Sequence, residues 1–148
     1  LTVGHGNAAD ELRRHVERTG QRGYIAVQAY FAPTAERDAE LRGIQQLLRD
    51  GTGRATTLGY GPRFLHSTGQ LHKGGPPSGC FIQLVRGHPD DLPIPGWRET
   101  FGTLIDAQAL GDFNSLEAHE LPVLRIHLGD DPDAGLAALR RAVGQALS

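Results

Sequence analysis

The sequence predicts an α/β domain: about four strands in one sheet with helices packed on it, in the order β-α-β-x-β-α-β-α. Three observations carry this. Short apolar segments of strand character alternate with longer segments of helical period. The first strand candidate has apolar residues in both of its alternating sets, as a strand covered on both faces requires. The helical stretches open on Asn7, Thr34, Thr100 and Asp131, residue types whose side chains accept from the free N–H groups of a first helical turn.

In order along the chain, the first 20 residues read as a short helix capped by Asn7, with Leu12 and Val16 as its apolar stripe and Gly20 closing it. Gly20-Gln21-Arg22-Gly23 is a turn or linker, which divides the chain into an N-terminal helix and linker, 1–22, and an α/β domain, 23–148. Tyr24 to Phe31 is the first strand, with Ile25, Val27, Ala29 and Phe31 alternating with Tyr24, Ala26, Gln28 and Tyr30. Pro33-Thr34 stops it and caps a helix of about four turns that places Leu41, Ile44, Leu47 and Leu48 on one side and ends at Gly51. Arg54 to Leu58 is a second strand, rich in β-branched threonine. Cys80 to Val85 is a third.

His88 to Trp97 contains Pro89, Pro93 and Pro95 and reads as an extended surface loop. Thr100 caps a helix carrying Phe101, Leu104, Ile105 and Gln108, closed by Gly111. Pro122 to Leu128 is the fourth strand. Asp131 caps a final helix with Pro132 in its first position and Leu136, Leu139, Val143 and Leu147 along one face.

The chain has 148 residues, enough for one domain that buries roughly 70% of its unfolded surface. Fifteen basic against 17 acidic side chains leave a net charge of −2, so no basic field exists to hold a nucleic-acid backbone. Apolar runs of a few residues fall far short of the roughly 20 that span a bilayer, which argues against a membrane partner. A lone cysteine, Cys80, suits a reducing, cytoplasmic setting and reads as a small buried hydrophobe. The chain begins at Leu1 and has no methionine, as expected of a piece of a longer protein. Of its 15 basic residues 14 are arginine, and Lys73 is the only lysine.

The chemistry concentrates in the segment x, Gly59 to Ser78. Glycines there let the backbone approach a ligand and present its N–H groups, and between them stand Arg63, His66, Ser67, Thr68, Gln70, His72 and Lys73. Hydroxyls, an amide, imidazoles and cations are what an anionic, hydroxyl-bearing small molecule such as a phosphorylated sugar needs. A structural reading stands beside it: the glycines and prolines could shape a tight connection whose polar side chains bond its own backbone. The pattern is neither a dinucleotide fingerprint, since Phe64 occupies the third glycine position, nor a G-x-x-x-x-G-K-[ST] phosphate loop. His66 and His72 lack a third ligand of suitable type for a metal. Ser67 lacks a nucleophile elbow, His127 reads as a strand histidine, and Asp130-Asp131 reads as helix capping. Trp97 is a candidate interface anchor.

The run Gly59-Tyr60-Gly61-Pro62-Arg63-Phe64-Leu65-His66-Ser67-Thr68-Gly69-Gln70-Leu71-His72-Lys73-Gly74-Gly75-Pro76 resembles the C-terminal part of bacterial glucose-6-phosphate isomerases, notably those fused behind a transaldolase. The likeness extends from about Tyr24 through Leu92-Pro93-Ile94-Pro95-Gly96, Thr100-Phe101-Gly102-Thr103-Leu104 and Gln108-Ala109-Leu110-Gly111-Asp112 to His127-Leu128-Gly129-Asp130-Asp131, about three quarters of the chain. Pro77 and Ser78 depart from the family's small polar pair. The resemblance implies interconversion of glucose 6-phosphate and fructose 6-phosphate without metal or cofactor: enzyme groups assist ring opening, and a glutamate moves a proton between C1 and C2. Glu99, Glu117 and Glu120 lie in no family motif, so the catalytic residues are not assigned and the base is expected upstream of Leu1. The implied partners are a sugar phosphate and the upstream isomerase and transaldolase domains. The alternative is a non-catalytic domain that packs on those cores by an apolar surface around Trp97 and the proline loop.

Overall fold

A computed structural model describes residues 1–4 and 6–148. The elements are β1 (Thr2–Val3), α1 (Ala8–Val16), β2 (Tyr24–Ala29), α2 (Ala35–Thr52), β3 (Ala55–Tyr60), α3 (Thr68–Gly74), β4 (Gly79–Val85), α4 (Phe101–Ala118), β5 (Val123–His127) and α5 (Pro132–Ala146). The five strands form one sheet in the order β1-β5-β4-β2-β3. Strands β2 to β5 pair in parallel, and β1 adds an antiparallel edge through Thr2 opposite His127 and Val3 opposite Ile126. The architecture is the α/β one the alternation implies, with a two-residue fifth strand too short to leave a period.

β2 and β4 occupy the middle and are buried on both faces. On one face Ile25, Val27, Ile82 and Leu84 meet Leu12 and Val16 of α1, Leu41, Ile44 and Leu48 of α2, and Leu136, Leu139 and Val143 of α5. β1 and α1 therefore contribute to the same core as the rest, through Val3, Ala9, Leu12 and Val16, and segment 20–23 is a turn between α1 and β2. Two arginines tie this layer together. Arg37 forms a two-pronged pair with Asp133, Nε to Oδ1 at 2.8 Å and Nη2 to Oδ2 at 3.1 Å, joining the starts of α2 and α5. Arg13 donates to the carbonyls of Gln145 and Ala146, which the end of α5 would otherwise leave without an intrahelical donor.

The opposite face is covered by α3 and α4. It holds two smaller apolar clusters, one of Ala26, Phe81, Leu116 and Leu121 and one of Tyr30, Phe64, Val85 and Ala109. Gln28 and Gln83 lie between them along their strands and are fully buried.

Three helix ends differ from expectation. α1 stops at Val16 with Glu17 as its C-cap, short of Gly20. α2 runs past Gly51 to Thr52 and stops at Gly53, whose φ of +65° is the left-handed turn glycine adopts without strain. α4 runs through Gly111 to Ala118, because Asp112 and Leu116 continue its buried stripe and Gly111 meets only open space. The segment x contains a two-turn helix, α3, that glycine content conceals from propensity.

Among the described residues no helix is long and apolar enough to cross a membrane.

His15 of α1 is buried, with its Nε2–H donating to the Phe81 carbonyl at 2.8 Å. The Cys80 sulfur lies 3.2 Å from the same nitrogen, and its S–H points to the His15 carbonyl. Burial holds this imidazole neutral and lowers its pKa to about 4, while burial pushes the Cys80 thiol up. The unfolded chain, with an ordinary histidine, binds the proton first, so this site's contribution is intact above pH ~6.5 and is lost as pH falls toward 4. The full effect is about 3 kcal/mol. We expect urea midpoints to fall between pH 7 and pH 4, and His15→Gln, which can still donate to Phe81, to flatten that slope. Parallel slopes in the two proteins would remove His15 as the cause.

Candidate functional site

Strand β2 hands the chain to α2 on one face of the sheet, whereas its neighbour β4 hands it to α4 on the other. Such a switch opens a crevice beyond the carboxyl ends of the two strands, where α/β sheets place ligands. A cleft of about 450 Å³ lies there. Phe31 and Ala32 after β2, Pro62 after β3, and Arg86, His88 and Asp91 after β4 contribute to it. Leu104, Ile105 and Gln108 of α4 complete its wall.

The polar groups of this cleft are held in place. Arg86 Nε donates to the Gly87 carbonyl at 2.6 Å. His88 Nε2 lies 2.9 Å from Asp106 Oδ1, which orients the ring. Asp91 accepts from the backbone N–H of Leu92 and of Gly102, both at 2.8 Å, and so caps the start of α4. The Thr100 hydroxyl and these N–H groups hold its carboxyl below the usual carboxylate range. Asp91 is thus committed to the helix start and is poorly suited to carry a proton. Chemically the cleft offers one guanidinium, one imidazole, one carboxamide and the carboxylates of Asp90 and Asp91 against an apolar wall. Arg86 is the group there that can meet an anion, and the wall suits a hydroxylated or apolar body.

Beside the cleft stands a buried polar chain. Tyr30 Oη donates to Asp112 Oδ2 at 3.0 Å, and Lys73 Nζ donates to Asp112 Oδ1 at 2.8 Å. The Asp112 side chain is 1% exposed and that of Lys73 is 19% exposed. Burial and the adjoining carboxylate push the Tyr30 hydroxyl far up, so it stays protonated. The chain joins α3 to α4 and to the end of β2. Gly61 lies against the Tyr30 ring so closely that a β-carbon there would collide with it.

The structure disperses the seven residues that the sequence singled out. Arg63 and His66 project from the turn after β3 and are exposed, and Thr68 at the start of α3 is exposed too. Ser67 Oγ donates to the Phe64 carbonyl and Gln70 Nε2 to the Leu65 carbonyl, so both serve the loop's own backbone. His72 points inward, buried, with its ring 4.9 Å from that of Phe81. Lys73 is engaged with Asp112. The segment reaches the cleft through Pro62. His66 and His72 face opposite environments.

Arg86, His88 and Gln108 were not among the sequence candidates. Their only sequence signal is position: Arg86-Gly87-His88 immediately follows a strand. His127 is exposed, and its Nδ1 accepts from the Gly129 N–H. Asp131 caps α5 as expected, accepting from Asp133 and Ala134.

No family model and no curated protein matches the chain. Among solved structures, it is similar in fold to a hypothetical protein from Thermus thermophilus, with a TM-score of 0.76 and 17% identity. The likeness covers 93% of this chain and 38% of that one, so the chain spans about two fifths of its structural relative.

Removing Lys73 strands a carboxylate in the interior with a single hydroxyl partner. Lys73→Met is expected to cost about 3 kcal/mol in urea unfolding. Lys73→Met/Asp112→Asn should recover at least about half of that, because no bare charge remains while the amide oxygen still accepts from Tyr30. A double variant no more stable than the single one would show that the charge is not what the lysine compensates.

Proposed function

We propose that this chain is the C-terminal domain of a glucose-6-phosphate isomerase of the kind joined to a transaldolase, and that it supplies part of the sugar-phosphate site. The observation that carries the reading is the run 59–76, which combines the resemblance to those isomerases with a turn, 61–67, that follows the carboxyl end of β3. In this reading the phosphate is drawn to two cationic side chains, Arg86 inside the cleft and Arg63 on the turn beside it. Lys73 adds little net charge, since Asp112 already balances it. An imidazole suits the proton transfers of ring opening, and of His66 and His72 it is the exposed His66 that a dissolved sugar can reach.

The proton between C1 and C2 is moved by a glutamate outside this chain. The carboxylates lining the cleft are Asp90 and Asp91, and Asp91 is bound to the start of α4. The 148-residue chain alone is accordingly expected to show no isomerase turnover in a coupled assay. In an NMR titration with fructose 6-phosphate, amide shifts should concentrate at 61–67 and 86–92, and Arg86→Gln should weaken binding about tenfold. Turnover by the chain alone, or an unresponsive spectrum at millimolar sugar, would overturn this assignment.

A second reading is favoured by the surface beside the cleft. Leu92, Trp97, Phe101 and Leu104 are exposed, Trp97 at 66% and Phe101 at 52%, and they cluster around the proline loop and the start of α4. Apolar side chains gathered in this way suit a contact with the upstream isomerase or transaldolase domains. Trp97 is the only tryptophan, so its emission reports the contact directly. Adding the upstream isomerase part in trans should shift that emission to the blue, and Trp97→Ala should weaken the association. An unaltered spectrum at saturating partner would rule out this surface.

A further inference from the structure

Between the two apolar clusters on the α3–α4 face lies a layer made of Gln28, Gln83 and His72. Gln28 and Gln83 stand opposite each other on β2 and β4, and His72 comes down onto them from α3. All three residues are at least nine-tenths buried, at 1%, 0% and 5% exposure. Gln83 Nε2 donates to the Ala109 carbonyl at 2.8 Å, and Gln28 Nε2 approaches His72 Nδ1 at 3.5 Å. With the Gln28 amide oriented in this way its nitrogen can only donate, which assigns Nδ1 as the accepting nitrogen of the ring and puts the proton on Nε2.

That assignment leaves a specific remainder. Gln28 Oε1 and Gln83 Oε1 are acceptors, His72 Nε2–H is a donor, and none has a partner among the described residues. Left bare, each would cost about 1–3 kcal/mol. Under α3 is a pocket of about 50 Å³ lined by Gln28, His72, Thr57, Gly59, Phe64 and Thr68. A cavity needs about 10–15 Å³ to hold one water, so the pocket has room for ordered solvent. A sugar is too large. A cation is disfavoured because no carboxylate lines the pocket and the imidazole presents an N–H to it. An apolar occupant would leave the amide oxygen and the ring N–H unpaired.

We propose that this pocket is a built water site, in which a short file of ordered water accepts from His72 Nε2–H, donates to Gln28 Oε1, and meets the surface between Thr57 and Thr68. Both threonines are exposed, which gives the file an exit and their hydroxyls as further partners. The water then forms part of the seat of α3: it supplies partners to two of the three unpaired atoms, those of Gln28 and His72, in a layer that is too polar to pack dry. It also explains why Gly59 lies in the pocket wall. A β-carbon there would press on the Phe64 ring at 3.1 Å and narrow the space. Burial lowers the His72 pKa, which keeps the ring in the neutral form that the tautomer requires. The site stands independently of the sugar-phosphate reading.

A crystal structure of the wild-type chain at a resolution that shows ordered solvent tests this directly. It should place a water within hydrogen-bond distance of both Gln28 Oε1 and His72 Nε2. In solution, nitrogen-15 NMR of His72 at neutral pH should show a protonated Nε2 and an unprotonated Nδ1, with cross-relaxation from water to the ring. A dry pocket, a side chain folded into it, or the opposite tautomer would each overturn the proposal.

Discussion

The requirement that β2 and β4 be covered on both faces governs this molecule. A central parallel strand has no solvent side, so each of its faces needs a helical layer. The two faces are met differently. One is a continuous apolar layer in which α1, α2 and α5 contribute leucine, isoleucine and valine at helical spacing. The other is interrupted, because Gln28 and Gln83 place carboxamides at the same level of adjacent strands. The helices over that face must therefore satisfy polar groups as well as exclude water.

Two devices meet that demand. At the carboxyl end of the strands, Tyr30 and Lys73 share the Asp112 carboxylate, one on each oxygen. This links the end of β2, α3 and α4 through a single buried group. Closer to the middle of the strands, His72 turns its ring between Phe64, Phe81 and Gln28. Successive residues of α3 thus serve different ends: His72 packs inward on the sheet, while Lys73 reaches sideways to α4. The glycine-rich segment is held to the sheet by His72 and to α4 by Lys73, while Arg63 and His66 of the preceding turn face solvent.

The cleft follows from the same topology. Because consecutive connections leave β2 and β4 for opposite faces, the space beyond their ends is not filled by either helix layer. Arg86 and His88 enter it from β4, and α4 closes one side with Leu104, Ile105 and Gln108. Cationic and apolar character are side by side, since Leu92 and Phe101 continue the apolar wall onto the outer surface toward Trp97.

The alternating strand and helix pattern, the caps at Asn7, Thr34, Thr100 and Asp131, and the buried faces of α2 and α5 were all legible in the amino-acid order, because they depend on residues within a few positions of one another. The unusual composition of 59–78 was legible for the same reason. Strand order was not, since nothing local says that β4 lies on the far side of β2 from β3. Nor were the partners of Lys73 and His72: Asp112 is 39 residues beyond the lysine, and Gln28 precedes the histidine by 44. A side chain's chemical type is written in the sequence, but whether it faces a ligand, a backbone carbonyl or the core is decided by long-range packing. Here the tertiary structure left Arg63, His66 and Thr68 facing outward and turned Ser67 and Gln70 back onto the carbonyls of their own turn. It drew His72 into the core and Lys73 onto α4, because the second face of the sheet had buried polar groups that needed them.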